Sequence, residues 1–224
     1  MKSRLIGFLL INFGCMLLAK STHAQARKDS TNTLQRMMRS FAIKLGSSYQ
    51  YMSSLESFSI GNNFGFFAGA YFQPPTASRF GFRSEIILSR QGYDYSSSRQ
   101  TGNVMLTYLL LPQLATFRIN KFWEMHAGGQ AALLLGAKVD STANPSSVPN
   151  LEKAGNYFNR LNYGVAAGLE IFPTKNTFIG GRYNLFFDMY KQKPASSYPP
   201  FIPNQSGNLK NGLVQLYVGF RFQK

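Results

Sequence analysis

The residues with most chemical potential in this chain are His126 and the carboxylate two positions before it, Glu124. In an extended segment that spacing puts both side chains on one face. Ser84 and Ser89 lie in a neighbouring segment, where either hydroxyl stands to meet them across a strand pair. Hydroxyl, imidazole and carboxylate are the parts of a hydrolytic trio, in which the base activates the nucleophile and the acid orients the base. No motif accompanies these residues. A lone inward histidine beside a glutamate is more often a satisfied member of a polar core, and that reading is adopted: no catalytic residue is assigned. The carboxylates are scattered without metal-ligand spacing, so neither a metal nor a cofactor is expected. Gly61, Gly65 and Gly69 precede no helix and so form no phosphate loop.

The elements that must position these residues are extended. From Trp123 every second residue is apolar or small (Trp123, Met125, Ala127, Gly129, Ala131, Leu133, Leu135, Ala137), and Glu124, His126, Gln130 and Lys138 fall between them. A period of two is that of a strand. A long strand, greasy on one face and wet on the other, suits a closed sheet in a bilayer with a polar interior.

Eight segments read this way: Ser40–Ser48, Phe64–Phe72, Phe80–Tyr93, Val104–Ile119, Phe122–Lys138, Leu161–Phe172, Thr177–Tyr190 and Gly212–Phe222. Their connections alternate between long and short. Tyr49–Asn63, Asp94–Asn103, Val139–Arg160 and Lys191–Asn211 are long, whereas Gln73–Arg79, Asn120-Lys121 and Pro173–Asn176 are short. That alternation belongs to an all-β, eight-stranded, antiparallel up-and-down transmembrane barrel with both termini in the periplasm and its long loops outside. Aromatics mark both rims: Phe72, Phe80, Phe117, Phe122, Trp123, Phe172, Phe178 and Phe222 at the short turns, and Tyr49, Tyr51, Tyr93, Tyr95, Tyr157 and Tyr190 at the long loops. The fourth segment departs from the pattern. Leu109, Leu110 and Leu111 are apolar on both faces, and Pro112 removes a ladder donor, which calls for a bulge or kink.

The N-terminus reads as a secretory leader. Lys2 and Arg4 precede an apolar run from Leu5 to Leu18, and small residues follow near Ala24. Residues 1–24 are therefore expected to be a cleaved signal peptide, 25–39 a flexible periplasmic lead-in, and 40–224 the barrel domain. Cys15, the only cysteine, lies in the leader, so disulfides and thiol chemistry are excluded from the mature chain. The 24 basic residues outnumber nine acidic ones. They are spread singly and gather at strand ends, which fits lipid phosphates at the two membrane surfaces rather than nucleic acid.

Alternation also assigns an inside set. Lys44, Arg83, Arg182 and Arg221 are expected to neutralise Glu85, Glu124, Glu170 and Asp188 in the lumen, with His126, Gln130, Asn162, Asn184 and Gln215 among them. Eight strands enclose a space just wide enough for side chains to fill, so this polar network is read as structural.

SEIILSRQGYDY from Ser84, TYLLLPQLATFRI with Pro112, AGGQAALLLGAK from Ala127 and YGVAAGLEIF from Tyr163 together resemble the PorT-like outer-membrane β-barrel family of Bacteroidetes-type bacteria. The resemblance spans nearly all of the mature chain. It implies residence in the outer membrane of a Gram-negative bacterium, makes Pro112 a regular feature, and carries no catalytic residues. The expected role is non-enzymatic: a monomeric structural or surface-interaction barrel that contacts outer-membrane lipid, lipopolysaccharide or a protein partner through its long loops. An accessory part in a protein-secretion apparatus comes second, a barrel enzyme acting on lipid or peptide third, and a narrow pore fourth.

Overall fold

The computed structural model describes residues 40–52, 59–61, 64–96, 101–141, 158–187 and 211–222. Its strands are β1 (Phe41–Met52), β2 (Ser59–Gly61), β3 (Phe64–Phe72), β4 (Phe80–Ser96), β5 (Thr101–Arg118), β6 (Trp123–Ser141), β7 (Leu161–Ile171), β8 (Thr177–Phe187) and β9 (Asn211–Arg221). The long strands pair antiparallel in the order β4-β3-β1-β9-β8-β7-β6-β5, and a β4–β5 ladder closes the ring. The fold is a closed eight-stranded barrel. The short β2 adds only to the far end of β4, with Ser59 opposite Ser96.

The pairing fixes the geometry of the cylinder. From Phe41 the partners run through Phe72, Ser84, Gln113, Gly129, Val165, Leu185 and Gly212 back to β1 at Tyr51, ten residues beyond the start. A stagger of that size tilts the strands by roughly 40°. Closure leaves no edge in the wall, and every strand presents alternate residues to the two sides.

The outer wall is apolar. Ile43, Leu45, Phe82, Ile86, Leu88, Val165, Leu169, Val214 and Val218 are all exposed on it. At the short-turn rim Phe41 meets Phe72 at 5.1 Å, Phe80 meets Phe117 at 4.8 Å and Phe220 meets Phe222 at 5.6 Å between ring centroids. Tyr49 and Phe64 pair at 5.4 Å at the other end, where Tyr163 and Phe187 are also exposed. Phe41 and Tyr49 lie on one strand, and at the strand rise and tilt their separation is about 20 Å of height, close to that of an apolar band in lipid. Two aromatics expected in the lower belt lie elsewhere. Phe172 and Phe178 are buried inside the cylinder, 5.8 Å apart, because the phase of β8 turns Phe178 inward with Arg182. Tyr157 and Tyr190 lie outside the described residues.

β4, β5 and β6 depart most from expectation. They run for 17, 18 and 19 residues, against 9 to 12 in the other five long strands. Asp94, Asn103 and Val139, expected in loops, are strand residues, and the Asn103 side-chain amide donates to Asp94 at 2.7 Å. A bulge lies within this extension. Thr107 faces Gly136 and Tyr108 faces Leu134, so Leu135 is the extra residue. Beyond it the alternation reverses: Ala137 is buried and Lys138 exposed, the opposite of the strict period-two expectation.

Pro112 needs no bulge. It faces Gln130 on β6 in unbroken register, and on the β4 side the register is the same at Ser84–Gln113 and Ile87–Leu110 with a pause between. The missing N–H removes rungs without shifting the strand.

Candidate functional site

The interior of the barrel divides into two halves. Toward the short turns β1 supplies Lys44, β3 Tyr71, β4 Arg83 and Glu85, β6 Glu124 and His126, β7 Glu170, β8 Arg182, and β9 Tyr217 and Arg221. Each is an inward position of its strand, and all but Arg221 are buried to 4% exposure or less.

Three carboxylates organise the cluster. Glu85 accepts Lys44 Nζ at 2.7 Å and both terminal nitrogens of Arg182 at 2.7 Å. Arg83 donates to Glu170 through Nη1 at 2.6 Å and Nη2 at 2.8 Å, and the Tyr217 hydroxyl donates to the same carboxylate at 3.0 Å. Glu124 accepts Arg83, Arg221 at 3.2 Å and the side-chain amide of Gln73. Aromatic faces complete the cations' surroundings: Arg83 lies 4.1 Å over Tyr71, Arg221 4.2 Å over Phe172 and Lys44 4.5 Å over Tyr217. Charges withdrawn from water this far are tolerated only when paired and hydrogen-bonded, and each carboxylate here has several donors. Asp188 lies outside the described residues.

The hydrolytic trio is not assembled. His126 Nε2 accepts a bond from Arg182 Nε at 3.1 Å, so its lone pair faces a guanidinium and not a hydroxyl. Ser84 points to the outer wall and donates to Gln113 at 2.5 Å. Ser89 is buried further along β4, beyond Ile87. Among the described residues, no group of three or more His, Cys, Asp or Glu is arranged to hold a metal.

Toward the long loops the lumen is mixed, with Ser48 and Gln50 of β1 and Ser89 and Gln91 of β4 buried in it. Phe67, Ile87, Val104, Leu106, Leu110, Ala137, Phe158, Phe186 and Leu213 form one buried cluster, with Gln130, Asn162, Asn184 and Gln215 set among them. The four amides face inward as expected; the apolar side chains among them were not expected, and they account for β5: Leu110 faces this cluster while Leu109 and Leu111 take the other side. Glycines make the packing possible. A Cβ on Gly180 would stand 2.5 Å from the Tyr217 ring, and one on Gly219 2.1 Å from the ring of Phe178. Tyr71, Gln73 and Tyr217 belong to the charged cluster but were not in the inside set. Extending the alternation to aromatic residues would have found the two tyrosines.

A filled, charge-paired interior inside a greasy cylinder is what a bilayer-spanning barrel requires. The model of the family described as outer membrane protein beta-barrel domain matches residues 24–187. The chain belongs to that family. It is an outer-membrane β-barrel protein, and the apolar wall is its lipid-facing surface. No curated protein matches the chain. Solved structures of similar fold include the attachment invasion locus protein Ail of Yersinia pestis, 17% identical over 81% of this chain and 97% of that one with a TM-score of 0.47. Neisserial surface protein A is 13% identical over 81% and 97%, with a TM-score of 0.47. OprG of Pseudomonas aeruginosa is 11% identical over 82% and 96%, with a TM-score of 0.41.

Proposed function

We propose that this outer-membrane barrel is a non-enzymatic, monomeric protein that acts at the cell surface through its long-loop side, and that its lumenal network serves only to hold the cylinder closed. The observation that carries the reading is the unequal height of the wall. β4, β5 and β6 continue past their neighbours as a sheet whose tip presents Asp94 and Asn103. The packed interior favours contact over passage. In the arrangement we propose, residues 1–24 are a removed leader, 25–39 a periplasmic lead-in, and the termini lie on the short-turn side. The partners are outer-membrane lipid, lipopolysaccharide or a surface protein. Replacing residues 95–102 by a two-residue Asn-Gly turn tests this. It should leave a folded barrel and weaken attachment of intact cells to lipopolysaccharide-coated or host-protein-coated surfaces. Unchanged attachment to all of them would refute the reading.

A second reading rests on the residues that resemble the PorT-like family, SRQGYDY and the leucine run with Pro112. It makes the barrel an accessory of a secretion apparatus, and predicts that exported cargo accumulates in the periplasm of a deletion strain.

A further inference from the structure

The short-turn mouth of the lumen carries an arrangement that the network does not explain. Arg79, just before β4, and Arg118, the last residue of β5, continue the register of the Phe80–Phe117 pair by one step, and the Arg118 N–H donates to the Arg79 carbonyl at 2.8 Å. Opposed residues in an antiparallel ladder point to the same side with Cβ atoms about 5 Å apart, where like charges repel. Both are exposed. The nearest carboxylate is already engaged: Glu124 accepts Arg83, Arg221 and Gln73, and Arg118 reaches it only at 3.8 Å with 44% of its side chain exposed. Lys121, on the adjacent turn, is exposed beside Phe122. Among the described residues no acidic side chain is exposed at this rim, since Glu85, Glu124 and Glu170 are buried and Asp94 lies at the other end.

We infer that Arg79 and Arg118 form a binding site for a phosphate group at the short-turn mouth, with Lys121 beside it. Two guanidinium forks on one side of a strand pair match the oxygens of a phosphate in the two-point manner that arginine favours. A bound phosphate turns their mutual repulsion into a bridge. The phosphate comes from a phospholipid headgroup of the leaflet at that rim or from free phosphate. The site rests on the outer-membrane reading only in placing this rim at a lipid surface, and it is independent of any role of the long loops.

The test uses the purified full barrel and its unfolding temperature. One arm compares inorganic phosphate with chloride at equal ionic strength, and the other compares nanodiscs of phosphatidylglycerol with micelles of an uncharged maltoside detergent, which carries no phosphate. The wild type should be stabilised by several degrees in at least one arm. A response to phosphatidylglycerol alone identifies the headgroup, and a response to inorganic phosphate identifies the free anion. The variant Arg79→Gln/Arg118→Gln should be stabilised in chloride, where repulsion is relieved, and should not respond in either arm. Lys175→Gln, on a different turn, should respond like the wild type. Should the double variant not fold, Arg118→Lys keeps the charge but loses the fork and must weaken phosphate binding about tenfold. No wild-type response, an equal loss in Lys175→Gln, or undiminished binding by Arg118→Lys would overturn the site.

Discussion

Arg83 and Glu170, carried on strands that never pair, meet across the lumen in a two-point bond of 2.6 and 2.8 Å. The same guanidinium reaches Glu124 and Gln73, so a single side chain from β4 ties together β6, β7 and the turn after β3. Arg83→Ala should cost about 3–5 kcal/mol, because it strands buried carboxylates. Arg83→Met/Glu170→Leu should cost less than the sum of the two single changes, since the second removes a charge that the first left unmatched. Urea unfolding in detergent measures both, and strict additivity would show that the bond contributes nothing.

Gly180 is a seat for the Tyr217 ring. Gly180→Ala puts a methyl 2.5 Å from that ring and displaces the hydroxyl that holds Glu170. A loss of about 1–3 kcal/mol is expected. Gly129→Ala is the matched control, because nothing lies within 4 Å of its Cβ position. It should leave the unfolding midpoint where it was.

The bulge at Leu135 sets which residues face out beyond it. The mature chain is expected to hold no cysteine, so single cysteines report the phase directly. Lys138→Cys should react with a water-soluble maleimide in the folded barrel, and Ala137→Cys should react only after unfolding. Reversed reactivity would show that β6 keeps a strict period of two to its end.

In planar bilayers the wild-type barrel should give no current steps. Inward side chains are buried at both ends of the lumen, Lys44 and Arg83 toward the short turns and Leu106 and Leu110 toward the long loops, which leaves little room for a stream of ions. Well-resolved unitary currents would contradict the filled interior.

Much of this architecture was legible in the residues because a closed sheet obeys two simple rules. Alternation told inside from outside wherever a strand was regular, which is why Lys44, Arg83 and Glu170 could be assigned to the lumen. Alternating loop lengths gave the strand count. What the residues could not show depends on numbers that only the closed ring supplies. The ten-residue stagger decides that Arg182 meets Glu85 rather than Glu124, and no local pattern encodes it. The extra residue at Leu135 is invisible because Leu133, Leu134 and Leu135 look alike in any phase. The apolar side chains in the long-loop half of the lumen were hidden for a related reason, since a strand greasy on both faces does not say which side is lipid.

Glu85 draws its partners from β1 and β8, strands that stand more than a hundred residues apart in the chain. The Lys44–Glu85 pair can form within the β1-β3-β4 sheet, but until the ring closes Arg182 has not met Glu85 and would have to cross oil without it. Insertion and circularisation must therefore be one event, and a partly wound intermediate has reason to wait at the membrane surface until its seam is made.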